Sequence, residues 1–284
     1  MRKTIKFGKK ILTEDSGTYI IAEAGINHSG DFSLAEKMIE AASNTGVDAI
    51  KFQAFNTEER FKNDPAAIDF VKPAELSFTQ LKDLAEICKK NNLTFFSTAF
   101  DSLSVKFLMD INVPVFKVAS CDIANERLLN EIAETNVPTI ISSGTANIDE
   151  IRRALDIFTK KNSSMALLHC VSSYPLADEN ANLKAIHNLK AELGCLIGYS
   201  DHSKGIDIPI SAVFAGAKII EKHYTLSKEL KGIDWEVSAN PDEFIDMVKK
   251  IRQADLILGN GFIGCSDCEQ EELEYRRQIR DSQI

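Results

Sequence analysis

Eight short, apolar, β-rich runs alternate with helix-patterned segments along almost the whole chain. That rhythm constrains the fold more than any other feature. The runs are YIIAEAG (19–25), DAIKFQAF (48–55), TFFSTAFD (94–101), VFKVAS (115–120), PTIISSG (138–144), MALLHCV (165–171), LIGYSDH (196–202) and IIEKHYT (219–225). Each is nearly continuous in apolar residues, as strands of a parallel sheet covered on both faces should be. Between them, SLAEKMIEAASNTG (33–46) reads as a helix capped by Ser33 and stopped at Gly46. SFTQLKDLAEICKKNN (77–92) has the same form, and an eighth helix is expected over 241–258. Eight strand–helix alternations predict an α/β chain folded as a (β/α)8 TIM barrel. A doubly wound sheet is the rival. It usually has fewer strands and a glycine fingerprint in its first turn, which GINHSG does not match.

The barrel domain is expected over 1–262. Its first 18 residues alternate around a Gly turn and predict a β-hairpin capping the barrel floor, and 263–284 form a charged tail or linker. Residues 56–76 make one long connection on the side where barrel enzymes work. A lid and a solvated insertion both remain open there. A chain of 284 residues can bury a substantial core. Its net charge of −9 argues against general attraction to nucleic acid or to anionic membranes. An anionic small molecule would therefore need a local basic pocket. No apolar run reaches the roughly 18 residues of a membrane span, and the first residues do not read as a signal peptide, so a cytoplasmic location is expected. The six cysteines are scattered and should be reduced thiols. Cys265 and Cys268 form a CxxC without the second pair that a structural zinc site needs.

Polar residues gather at the C-terminal ends of the strands, the mouth of such a barrel. Glu23, Asn27 and His28 follow the first strand, and Lys51 and Gln53 lie on the second. Ser97, Thr98 and Asp101 end the third; Lys117, Ser120 and Asp122 end the fourth. Ser142 and Ser143 end the fifth, and His169, Ser172 and Tyr174 the sixth. Ser200, Asp201 and His202 end the seventh, and Glu221 and His223 the eighth. A barrel interior is ordinarily filled by branched apolar side chains, so these groups need partners. A single strand-end histidine is more often a hydrogen-bonded core residue than a ligand. His202 and His223, however, stand on neighbouring strands with Glu23 across the mouth, an arrangement that suits a divalent ion such as Mn²⁺, Mg²⁺ or Co²⁺. Lys51 and Lys117 are either salt-bridged core lysines or the grip on an anionic ligand, with the hydroxyls around them as further donors. A strand lysine also suits a Schiff-base aldolase, which leaves the paired histidines unexplained.

These residues, in this order, resemble the sialic acid (N-acetylneuraminate) synthase family. The segments that carry the likeness include AEAGINHSG, AIKFQAF, FFSTAFD, FKVASCDIAN, LLHCVSSYPL, IGYSDHSKG, IIEKHYTL and GIDWEVSANP. The resemblance implies condensation of phosphoenolpyruvate with an N-acylated hexosamine such as N-acetylmannosamine. The products would be a nine-carbon 2-keto-3-deoxy sugar acid and phosphate. It implies a metal held by His202 and His223, Mn²⁺ first, and a catalytic role for Glu23 beside them. It implies phosphoenolpyruvate contacts at Lys51, Thr98, Lys117, Ser120, Ser142, Ser172 and Ser200, and sugar contacts at Glu23, Asp122 and Tyr174. Asp234 is carried over with the substrate-binding set, although Trp235 follows it where members often have His. Members usually continue into a small antifreeze-like domain that reaches over the partner's site in a swapped dimer. This sequence ends at YRRQIRDSQI, about where the linker would begin, so these residues are expected to hold the barrel without that domain, whether or not the natural protein carries it, with a homodimer left open. Another 3-deoxy sugar acid synthase, a metal-dependent aldolase, and a non-catalytic metabolite-binding barrel are the alternatives.

Overall fold

The computed structural model describes residues 4–282. The outermost positions of the two expected end segments, 1–3 and 283–284, lie outside the described residues. A hairpin of β1 (Ile5–Phe7) and β2 (Lys10–Leu12) precedes eight strands: β3 (Tyr19–Gly25), β4 (Ala49–Ala54), β5 (Thr94–Ala99), β6 (Phe116–Val118), β7 (Thr139–Ser142), β8 (Met165–Cys170), β9 (Leu196–Asp201) and β10 (Ile219–His223). These eight pair in parallel, each with its sequence neighbours, and β10 closes on β3. The barrel is thus complete. Its covering helices are α1 (Phe32–Ser43), α4 (Phe78–Lys90), α5 (Ser102–Asp110), α6 (Glu126–Glu134), α7 (Ile148–Lys160), α8 (Lys184–Leu193), α9 (Asp207–Phe214) and α10 (Pro241–Leu258). Between β4 and α4 the long connection carries two short helices, α2 (Thr57–Arg60) and α3 (Pro65–Val71).

The site follows from the alternation of side chains along a strand. Odd positions of β3, and their register partners around the ring, face inward. Near the floor these are Tyr19, Ile21, Ala49, Phe96, Val115, Ile140, Ala166, Leu168, Leu196 and Ile219, packed into one apolar cluster. Ile5, Phe7 and Leu12 of the hairpin belong to the same cluster, so the hairpin plugs the floor. Two residues further along the same inward rows the character changes to Glu23, Lys51, Thr98, Lys117, Ser142, Ser200 and Glu221. The outward rows build a second core against the helices, with Ile20, Ala22, Ile50, Phe52, Ile141, Ile197 and Ile220 at its base. A glycine at position 198 makes room in the inner layer. A Cβ there would stand 2.5 Å from Leu168 Cδ2 and 2.4 Å from the Ile219 carbonyl oxygen.

Two local expectations change. The cap of α1 is Asp31, whose carboxylate accepts from the Leu34 N–H, not Ser33, which falls inside the first turn. That helix also stops earlier, at Asn44, with Gly46 in the following turn at φ +83°. Ser77 does cap α4 through a reciprocal pair with Gln80. Beyond α10 the tail forms a helix, α11 (Gln270–Ser282), largely exposed over residues 270–280.

Candidate active site at the barrel mouth

The inward polar layer forms the base of a cavity of about 380 Å³. Of the residues singled out from the sequence, Glu23, Lys51, Thr98, Lys117, Ser120, Ser142, Ser172, Tyr174, Ser200, His202, His223 and Asp234 all line it. Asp122 does not. Its carboxylate turns outward to Arg60 on α2, 3.1 Å away, and lines an adjoining cavity instead. Arg60 also donates to the Phe100 carbonyl at 3.0 Å and lies 4.1 Å over the Phe100 ring. Part of the long connection is therefore fastened to the rim of the mouth.

The two lysines are buried and cross-linked to each other's surroundings. Lys51 Nζ donates to Thr98 Oγ1 at 3.0 Å and pairs with Glu23 Oε1 at 2.8 Å. Lys117 Nζ donates to Ser142 Oγ at 2.7 Å and to the Val118 carbonyl at 3.1 Å. Glu221 lies between them, 3.8 Å from Lys51 and 3.6 Å from Lys117, and accepts from Ser200 Oγ at 3.1 Å. Burial alone would neutralise every one of these groups. For Lys51 the nearby Glu221 and Glu23 carboxylates outweigh burial and raise its pKa. For Glu221 burial is outweighed in turn by Lys117 and Lys51, and its pKa falls. Burial wins at Glu23, pushed up to about 7 although Lys51 opposes it, and at Lys117, which is lowered. Glu221 had no role in the sequence reading. Its place between the lysines follows from strand parity: on β10 it shares the inward row with His223.

Beside the lysines, Ser120 Oγ accepts from the Gly144 N–H at 3.0 Å. A Cβ at Gly144 would stand 2.7 Å from that oxygen and 2.2 Å from Ser172 Oγ. Two hydroxyls and a backbone therefore converge where any side chain would have to displace them. Together with Lys51, Lys117, Thr98 and Ser142 they form a cradle suited to an anion bearing several oxygens.

Only two of the strand-end histidines converge. The His202 and His223 rings lie 5.3 Å apart between centroids, and Tyr174 packs 4.0 Å from His202. His202 Nδ1 faces the Val171 carbonyl at 2.9 Å, so the network assigns the proton to Nδ1 and leaves Nε2 a lone pair. His223 Nδ1 is buried and makes no hydrogen bond, although Asp234 Oδ2 lies 3.4 Å away. Burial lowers His202 to about 4, with His223 adding to the effect. Burial and then Lys51 lower His223 to about 3. Two neutral imidazoles with an unsatisfied ring nitrogen fit a divalent ion. Among the described residues no group of three or more His, Cys, Asp or Glu side chains is placed to hold a metal. His28 and His169 are elsewhere. His28 accepts from the Gly30 N–H beside Phe52, and His169 meets the Ala181 carbonyl at 3.0 Å. Asn27 holds the loop that carries Asp234: its Oδ1 accepts from the Asp234 N–H at 3.0 Å, and its Nδ2 donates to Ser238 at 2.8 Å.

The family model of the NeuB family matches residues 38–262. An N-acetylneuraminic acid (sialic acid) synthetase from Leptospira borgpetersenii, solved in complex with citrate, superposes with a TM-score of 0.95 at 47% identity, covering 99% of this chain and 98% of that one. An N,N'-diacetyllegionaminic acid synthase from Campylobacter jejuni is 38% identical over 278 residues, 92% of this chain and 83% of the relative. A mouse N-acetylneuraminate-9-phosphate synthase is 34% identical over 265 residues, 88% and 74% of the two chains. No helix among the described residues is long and apolar enough to cross a membrane.

Proposed function

The chain belongs to the NeuB family, and from that premise we propose that it condenses phosphoenolpyruvate with an N-acyl hexosamine, giving a nine-carbon 2-keto-3-deoxy sugar acid and phosphate. One observation carries the reading. Two buried lysines, backed by hydroxyls and a glycine-floored niche, share a cavity with two converging neutral imidazoles. The first set suits the phosphate and carboxylate of the donor, and the second suits a Lewis acid for the acceptor aldehyde.

In this scheme Lys51, Lys117, Thr98, Ser120, Ser142, Ser172 and Ser200 fix phosphoenolpyruvate, so that its methylene carbon faces the open-chain sugar's aldehyde. Positioning of this sort contributes several kcal/mol on its own. Tyr174 walls the acceptor side, and Asp234 and Glu23 present carboxylates to its hydroxyls and amide. His202 and His223 would hold a divalent ion, Mn²⁺ first, which when bound polarises the aldehyde. The methylene carbon of the donor forms a bond to the aldehyde carbon, whose oxygen takes a proton. Water adds to the second carbon of the former donor, and the carbon–oxygen bond to phosphate then breaks. Glu23 Oε2 is buried and has no hydrogen-bond partner, so it is the oxygen available to accept the water's proton.

Relatives are named for different products, an N,N'-diacetyllegionaminic acid and an N-acetylneuraminate 9-phosphate, so the acceptor is the variable to assay. Phosphate release from phosphoenolpyruvate, measured with N-acetylmannosamine, its 6-phosphate and diacetamido hexoses, with and without Mn²⁺, tests the proposal. Release that depends on both an acceptor and the metal supports it. Turnover of pyruvate in place of phosphoenolpyruvate would refute it in favour of an aldolase.

A further inference from the structure

Behind the paired imidazoles, on the outward face of the same two strands, lies a fully buried ion pair that the proposed chemistry does not use. Lys222 Nζ sits 2.6 Å from Asp201 Oδ2 and 2.6 Å from the Ser203 carbonyl oxygen. Ser203 Oγ returns to the Asp201 carboxylate at 2.9 Å. Both charged side chains are wholly inaccessible to solvent.

The register explains why they meet. On adjacent strands Lys222 pairs with Asp201 and Glu221 with Ser200. Alternation then sends Ser200, His202, Glu221 and His223 into the cavity and Asp201 and Lys222 into the helix layer. The ammonium thus binds the residue before His202 and the residue after it, while its own chain continues directly into His223. We propose that Lys222 and Asp201 are positioning residues, a clamp that sets the distance and tilt between the His202 and His223 rings. A charged pair at this depth is a poor way to gain stability, because desolvation consumes most of the attraction. It is a good way to hold a backbone, because both strands must keep one register to satisfy it. Other bonds hold the two residues from the far sides: Leu176 N–H donates to the His202 carbonyl at 2.9 Å and Ala239 N–H to that of His223 at 2.8 Å. The clamp adds a side-chain link between them beyond the strand ladder.

The inference rests on the two-imidazole reading only for its metal measurement. The double variant Lys222→Met/Asp201→Leu exchanges the ion pair for an apolar pair, which preserves folding better than removing one partner. In deuterated protein with protonated histidines, the nuclear Overhauser effect between the two rings reports their contact without any metal. The expected result is loss of that signal, with the phosphoenolpyruvate dissociation constant within about twofold of the parent and the Mn²⁺ dissociation constant raised by about 10–100-fold. Lys222→Arg keeps a cation and should retain both the ring contact and Mn²⁺ affinity. Asp201→Asn is the second variant should the double one fail to fold, and it should weaken the contact in the same sense. A folded variant with the parent's ring signal overturns the clamp. A parent that binds no Mn²⁺, with a variant that still loses the ring contact, upholds the clamp and refutes the metal reading instead.

Discussion

Glu221→Gln tests whether the two lysines are held for a ligand or only for each other's neighbours. Glu221 is the carboxylate both lysines share, at 3.8 Å and 3.6 Å. At an effective dielectric near 20 each contact is worth about 4–5 kcal/mol before desolvation. Removing the carboxylate returns its own desolvation cost, but leaves Lys117 without a carboxylate partner, since Glu23 contacts Lys51. A broken buried pair costs about 3–5 kcal/mol, and that is the expected drop in unfolding free energy, measured by urea titration in phosphate-free buffer. The sign of a second effect is more telling. In the parent, two ammoniums face two carboxylates; in the variant one carboxylate remains, and an anion entering the cradle replaces the missing charge. Inorganic phosphate at about 10 mM should therefore raise the urea midpoint of the variant more than that of the parent. A stability loss under about 1 kcal/mol, or a phosphate response no larger than the parent's, would show that the lysines do not face an anion site.

Three further outcomes follow from particular contacts. His28 is lowered from 6.5 to about 4 by burial, so the unfolded chain binds its proton more readily; the stability it contributes is full above pH 6.5 and is lost as pH falls towards 4. Relative to His28→Asn, the parent should lose about 3 kcal/mol more over that window in urea titrations, and parallel pH profiles would contradict the assignment. Gly144→Ala should displace the Ser120 and Ser172 hydroxyls and raise KM for phosphoenolpyruvate by about tenfold, the equivalent of one hydrogen bond, with the melting temperature little changed; an unchanged KM would remove both serines from the donor cradle. Chelation should abolish phosphate release, Mn²⁺ should restore it, and His223→Ala should lose Mn²⁺ affinity; full activity in metal-free buffer would refute the two-imidazole reading.

The barrel was legible because its strands are buried on both faces. Runs such as YIIAEAG leave no polar register to mistake, and β3 spans the expected residues 19–25. Strand ends could be located to within a few residues, and on a barrel the strand end is the mouth, so most of the cavity lining could be named in advance. Tertiary partners could not. His169 follows Leu168, which faces the barrel interior, so alternation along β8 turns it outward; His28 lies three residues past the end of β3, where no strand rule applies, and backbone groups hold both away from the mouth. Glu221 reads as one more polar strand residue until β9 and β10 are put in register. The cap of α1 lies two residues before the expected one because Asp31 and Ser33 are both competent caps, and the sequence alone does not choose between them.

Asp122 shows why a residue just past a correct strand end can leave the central cavity. It sits in a 3-10 turn, Ser120–Asp122, where successive residues no longer alternate across a sheet. Ser120 turns into the cavity and Asp122 leaves it. The direction is fixed by Arg60, which comes from a segment more than 50 residues earlier and whose conformation the sequence left open. The guanidinium is held at once by a carboxylate, a carbonyl and an aromatic face, so it is anchored rather than free to sweep the rim. On the proposed reading, an acceptor sugar reaching this side of the mouth would meet the Arg60–Asp122 ion pair, not a lone carboxylate. Hydroxyl and amide groups suit such a surface, because each finds a donor and an acceptor together.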